Sequence, residues 1–105
     1  MTVSSKIDDM CRQIVAKFDP KKIILFGSHA NGQPNEDSDV DIMVVMPFEG
    51  RNVDQAIEIR KNISVDIALD LMVRSPAEIA DRLSKEDFFI REIINEGRIL
   101  YESST

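Results

Sequence analysis

Tryptophan is absent, cysteine occurs once, and glycine and proline number only four each in a chain of 105 residues. The lone Cys11 excludes an internal disulfide and any zinc site built from paired thiolates, and it fits a reducing, cytoplasmic compartment. No apolar run approaches the roughly 20 residues that span a bilayer, and Met1 to Lys6 has no apolar targeting core, so no membrane attachment is expected. A basic excess is missing too. The 13 Lys and Arg against 19 Asp and Glu give a formal charge of -6 and a pI near 4.7, which argues against direct binding to a nucleic-acid backbone.

What the chain has is an ordinary globular composition, 43% hydrophobic and 30% charged, with no internal repeat or low-complexity segment. Residues 1–105 are expected to form a single domain. A core of this size buries roughly two thirds of the unfolded surface, so stability should be modest and homo- or hetero-association would add to it. Met10, Cys11, Ile14, Val15 and Phe18 recur from Ile7 at helical steps, and Asp19-Pro20 ends that helix. Lys22 to Phe26 reads as a short buried strand broken by Gly27. Gly32 to Ser38 is a polar loop, and a second strand runs from Asp39 toward Pro47. A helix opens at Arg51 or Asn52 and runs to about Lys61, with Val53, Ala56, Ile57 and Arg60 at helical spacing. Val65 to Val73 alternates as a strand. Ser75-Pro76-Ala77-Glu78 is a capping-box start for a helix reaching about Ser84. Asp87 to Glu96 is helical, Gly97 supplies a left-handed stop, and Arg98 to Tyr101 forms a last strand. This is an α/β (α+β) pattern, a small sheet flanked by helices.

The chemistry concentrates in three places: Gly27-Ser28 at a strand end, the polar loop, and Ser38-Asp39-Val40-Asp41 opening the next strand. Glycine lets backbone amides approach a phosphate closely, a short helix starting at Ser28 would aim its free N–H groups there, and the serine hydroxyl adds a donor. Asp39 and Asp41 lie two apart on a strand, so both carboxylates leave the same face about 7 Å apart along the backbone. Two like charges brought together need a cation, and oxygen ligands select Mg²⁺ or Mn²⁺. Asp66 and Asp70 share the corresponding face of the following strand, about 13 Å apart, so at most one completes a two-metal site. Spacing leaves that choice open. Phe88-Phe89 reads as core or partner contact, and Lys22, Arg51, Arg60 and Arg74 as solvated bases.

Ile24-Leu25-Phe26-Gly27-Ser28-His29-Ala30-Asn31-Gly32 followed by Ser38-Asp39-Val40-Asp41-Ile42-Met43-Val44-Val45 resembles the G-S-x-x-x-G and S-D-x-D signature of the DNA polymerase β-like nucleotidyltransferase superfamily. The small size, the segment Leu69 to Glu78 and the tail Phe88 to Glu102 resemble its minimal nucleotidyltransferases, so the similarity covers nearly the whole chain. It implies a small mixed β-sheet with flanking helices. It also implies Asp39, Asp41 and Asp70 as metal ligands and catalytic residues, and Gly27, Ser28 and Ser38 as the seat of the triphosphate. That favours Asp70 over Asp66. The family often carries arginine where this chain has His29, whose role the resemblance leaves undefined.

The implied reaction moves a nucleoside monophosphate, AMP from ATP, onto a hydroxyl with two Mg²⁺ ions as cofactors, Mn²⁺ being the substitute. Relatives of this kind pair with small all-helical HEPN-type proteins, and some are antitoxins that adenylylate a tyrosine of that partner. Two rivals accompany this expectation: an antitoxin that neutralises its partner by occlusion without catalysis, and a transferase for a small molecule.

Overall fold

A computed structural model describes residues 2–32 and 39–104. The order is α1 (Val3–Phe18), β1 (Lys22–Phe26), β2 (Val40–Val45), α2 (Asn52–Asn62), β3 (Leu69–Arg74), α3 (Pro76–Ser84), α4 (Phe88–Glu96) and β4 (Arg98–Glu102). The strands form one mixed sheet in the order β3-β2-β1-β4. β1 runs antiparallel to both β2 and β4, while β2 and β3 are parallel, joined by the crossover through α2.

Both faces of the sheet are covered, which is why β1 and β2 read as nearly continuous aliphatic runs. On one face Ile7, Met10, Cys11 and Ile14 of α1 and Ile59 of α2 pack on Ile23, Leu25, Val40, Ile42, Val44, Leu71 and Val73. On the other, Ile90 and Ile93 of α4 pack on Ile24, Met43 and Val45, with Ile79 and Leu83 of α3 at the margin. Asp41 and Asp70 lie two residues before Met43 and Met72 on their strands, so their carboxylates belong to this second face, Asp41 beside α4 and Asp70 exposed. Cys11 is buried, and burial, reinforced by Asp8 and offset in part by Arg12, raises its thiol pKa away from reactivity.

Three sequence expectations are corrected. Val65 to Ile67 is not strand: the ladder starts where Val40 N–H donates to the Ala68 carbonyl, β2 beginning at Val40 among the described residues. That segment is tied to α1 instead, with Gln13 bonding both backbone groups of Ser64 and Lys6 reaching Asp66. In α2 the stripe is rotated. Ile59 is buried while Val53 and Ile57 stay 49% and 46% exposed, because the sheet is met by the line through Ala56, Ile59 and Ile63. Gly97 is extended (φ -69, ψ 158) and not left-handed. Its need for glycine is closeness, since a Cβ there would lie 2.5 Å from Ile24 Cγ2 and against the Ile93 carbonyl.

Other boundaries follow their local chemistry. The α3 start is the full capping box, with Ser75 Oγ accepting from Glu78 N–H and Glu78 Oε1 accepting from Ser75 N–H. Asn52 at the start of α2 donates to the other Glu78 oxygen at 3.1 Å and so links the two helix starts. α1 ends at Asp19, which takes a left-handed conformation (φ 48) just before Pro20.

Candidate active site

β2 and β3 bring two aspartates side by side. The parallel register sets Asp41 directly opposite Asp70, and the antiparallel register sets Asp41 opposite Phe26 on its other flank. Asp39, exposed, precedes Val40 at the start of β2. Directly opposite strand positions have Cβ atoms roughly 5 Å apart, so the Asp41 and Asp70 carboxyls meet. Burial raises the Asp41 pKa above the ordinary 3.8; Asp70 and then Asp39 add to the rise, His29 works against it, and a hydrogen bond with the Asp70 carboxyl favours a retained proton.

Gly27 makes this approach feasible. It has φ +76, and a Cβ there would fall on the Asp41 carboxylate, with Cγ at 3.3 Å. The chain then folds back at once, with the Ala30 and Asn31 N–H groups both donating to the Gly27 carbonyl at 3.1 Å. Ser28 to Gly32 is therefore a turn; the short helix expected at Ser28 does not form among the described residues. Gly27 and Ser28 lie at the end of β1, on the side of Asp41 away from Asp70. Ser38 lies outside the described residues.

The structure separates the two candidates for a third carboxylate. Asp70 faces Asp41, whereas Asp66 is in the preceding loop, its side chain 97% exposed and paired with Lys6 at 3.3 Å. The scattered bases are engaged elsewhere: Lys22 with Glu102 at 3.0 Å, Arg51 with Asp54 at 4.0 Å, Arg60 with the Leu69 carbonyl and Arg74 with the Val73 carbonyl. His29 lies close enough to Asp41 to lower its pKa, and it also borders a groove with Val3, Ile7 and Arg98.

Beside Asp41 a cleft of about 270 Å³ opens between the Gly27 turn and α4, lined by Phe26, Gly27, Asn31, Asp41, Phe89 and Glu92 together with Ala30, Ile93, Glu96 and Gly97. Sequence reasoning missed the α4 contribution. Phe89 reads as packing from its helical spacing, yet its ring meets Phe26 edge-on at 6.0 Å and walls the cleft. The available signal was that the helix pattern leaves Glu92 and Glu96 one turn apart, near the turn of Phe89.

Asp41 and Asp70 thus meet across the strand pair, with Asp39 near enough to act on Asp41, and the ionised form of Asp41 is disfavoured. Among the described residues, no group of three or more His, Cys, Asp or Glu side chains is arranged so that it could hold a metal ion. No described helix is long and apolar enough to cross a membrane.

Comparison with known proteins agrees with this geometry. The chain is 32% identical over 83 residues to a candidate protein adenylyltransferase of Methanocaldococcus jannaschii, covering 77% of this chain and 78% of that protein. Its fold is similar to the crystal structure of a candidate nucleotidyltransferase from Sulfolobus solfataricus, with a TM-score of 0.67 at 18% identity over 96% of this chain and 81% of the other. The family described as "Polymerase beta, Nucleotidyltransferase" matches residues 7–105, and with that match the chain belongs to this family and is a nucleotidyltransferase.

Proposed function

We propose that residues 1–105 act as a single-domain, metal-dependent adenylyltransferase that moves AMP from ATP onto a hydroxyl of a partner protein. The observation that carries this reading is the cross-strand meeting of Asp41 and Asp70, with Asp39 close enough to raise the Asp41 pKa, beside a left-handed Gly27. Asp39, Asp41 and Asp70 would hold the metal, two Mg²⁺ ions or Mn²⁺ in their place. Divalent ions bound there neutralise charge developing on the attacking and leaving oxygens. Gly27 and Ser28 would cradle the β- and γ-phosphates, with Ser38 as a further nucleotide-binding residue. Asp70 takes the proton of the incoming hydroxyl; its oxygen bonds to the α-phosphorus as the bond to the bridging oxygen breaks, and pyrophosphate leaves in line.

A protein acceptor is favoured by the name of the Methanocaldococcus relative and by exposed apolar side chains, among them Phe88 at 79%, Val53 and Ile57. We assign the partner to the small all-helical HEPN type and the pair to a cytoplasmic toxin–antitoxin system, this chain being the antitoxin. The test is intact mass of that partner after incubation with ATP, Mg²⁺ and either wild type or Asp39→Ala/Asp41→Ala. The expected result is one added AMP with wild type alone. Tight binding without any mass change on the partner would replace this reading by neutralisation through occlusion.

A further inference from the structure

Asp70 is exposed, and it is the second residue of β3, an outermost strand of the sheet. β2 holds β3 from one flank only. Val40 N–H donates to the Ala68 carbonyl and Met46 N–H to the Arg74 carbonyl. Along this parallel ladder the carbonyls of residues 68, 70, 72 and 74 therefore face β2, and those of Leu69, Leu71 and Val73 face the free edge. The segment leading into β3 is held by α1: Lys17 donates to the Asn62 carbonyl, Gln13 bonds both backbone groups of Ser64, and Lys6 pairs with Asp66. Those tethers stop at Asp66. On the free-edge flank the next hold is Arg60, whose guanidinium reaches from the last turn of α2 to the outward carbonyl of Leu69. A cation in that turn is favoured by the helix dipole, and the planar guanidinium is a pre-organised donor. Arg74 makes the matching bond near the far end of β3, to the outward carbonyl of Val73.

We propose that Arg60 is a positioning residue for Asp70. This rests on the reading of Asp70 as the group that takes the acceptor proton, and it extends that reading to what fixes its carboxylate. The bond is made to the residue immediately before Asp70, so Arg60 acts through the backbone. Strand ends at a sheet edge open locally at little cost, and β2 alone restrains this one from inside. With Leu69 held from the outer flank as well, the pleat at Asp70 is fixed and its carboxylate stays opposite Asp41. Without that hold the entry of β3 moves, and a shift of about 1 Å at a reacting group costs on the order of 100-fold in rate. Arg74 gives the edge an equivalent bond, but next to Val73, beyond Met72 from Asp70. Arg60 therefore differs from Arg74 in place and not in kind.

The experiment compares Arg60→Ala, Arg60→Lys, Arg74→Ala and Asp70→Asn with wild type in two readouts: steady-state AMP transfer from Mg²⁺-ATP to the helical partner protein, and amide hydrogen exchange of the metal-free chain. Arg60→Ala should lower kcat by about ten- to 100-fold and leave KM for ATP within about twofold, the pattern of a misplaced reacting group and not of lost substrate binding. Arg60→Lys, which keeps one donor on a long stem, should recover most of that loss. Arg74→Ala should keep wild-type kcat. In exchange, the amides of residues 69–71 should quicken by about two- to tenfold in Arg60→Ala and stay as in wild type in Arg74→Ala, as loss of one local hydrogen bond predicts. Both alanine variants should melt within about 8 °C of wild type, each having lost one exposed bond. An unchanged kcat in Arg60→Ala, an equal fall in Arg74→Ala, a rise in KM alone, no recovery with lysine, or unaltered exchange at residues 69–71 would overturn the assignment of Arg60. Those results leave the role of Asp70 standing as long as Asp70→Asn abolishes transfer. Wild-type turnover by Asp70→Asn, or no transfer by wild type, would instead remove the reading beneath it.

Discussion

Asp41→Asn separates what the chemistry needs from what the fold prefers. Asp41 is only partly exposed, its carboxyl is raised by burial and by Asp70 and Asp39, and its direct cross-strand neighbour is Asp70. Like charges directly opposite one another on adjacent strands are destabilising by about 0.2–1 kcal/mol, and asparagine removes that pair at almost constant shape. Without metal the variant should therefore be the more stable protein, by a melting shift of roughly 1–8 °C for a domain of this size. The pH dependence has a definite sign. A raised folded-state pKa means that wild type is relatively most stable below the ordinary value of 3.8 and loses that contribution as pH rises through the folded-state pKa. The advantage of the variant should thus be small in acid and complete at neutral pH. Mg²⁺ should reverse the order if Asp41 is the proposed ligand, because it would bind the folded wild type and stabilise it by mass action while the variant lacks that ligand. Melting curves in EDTA and in Mg²⁺, near pH 4 and pH 7, give all four comparisons. An Asp41→Asn protein less stable than wild type in EDTA at neutral pH, or equal Mg²⁺ shifts in the two proteins, would refute the reasoning.

Gly27→Ala forces a methyl group onto the Asp41 carboxylate at φ +76; chemical denaturation should show a loss of about 1–2 kcal/mol from the left-handed strain, and turnover should fall about 100-fold as the carboxylate is displaced. Asp66→Asn should keep wild-type turnover, its ion pair with Lys6 being an exposed one worth at most about 1 kcal/mol, whereas Asp70→Asn should abolish transfer; assayed side by side, the two decide which aspartate serves. Ser75→Ala removes the acceptor for Glu78 N–H and should cost about 1 kcal/mol in urea unfolding with no change in nucleotide binding, since α3 starts beyond the far end of β3 from Asp70.

Period and punctuation carried most of the fold. Lys22–Phe26 is bounded as the apolar run and Gly27 predict, and the α3 and α4 starts follow Ser75 and Asp87 as caps. The failures have physical causes. Alternation from Val65 to Leu69 records burial against α1, but a strand also needs a hydrogen-bonding neighbour, and β2 begins only at Val40. The α2 stripe was misread because Val53 and Ile57 are apolar yet exposed; periodicity alone cannot say which of two apolar lines meets the sheet. Gly97 looked like a left-handed stop, while its real constraint is contact with Ile24, on a strand distant in sequence. Within the site, spacing set Asp39 and Asp41 on one strand face, whereas β2 begins at Val40 and Asp39 precedes it, still near enough to raise the Asp41 pKa. The choice of Asp70 over Asp66 came from family resemblance, and the parallel register that seats it opposite Asp41 is a tertiary fact. The α4 wall of the cleft was hidden for the same reason, since Phe89 meets Phe26 only once the sheet and helix are packed.

Position of the transferred label tests the central claim most directly. Wild type should be incubated with Mg²⁺, a helical partner protein and ATP labelled at either the α- or the γ-phosphorus. Incorporation of the α label alone, with one pyrophosphate released per label and none with Asp70→Asn, is the predicted result. Transfer of the γ label, or α-label transfer that persists in Asp70→Asn, would contradict the account.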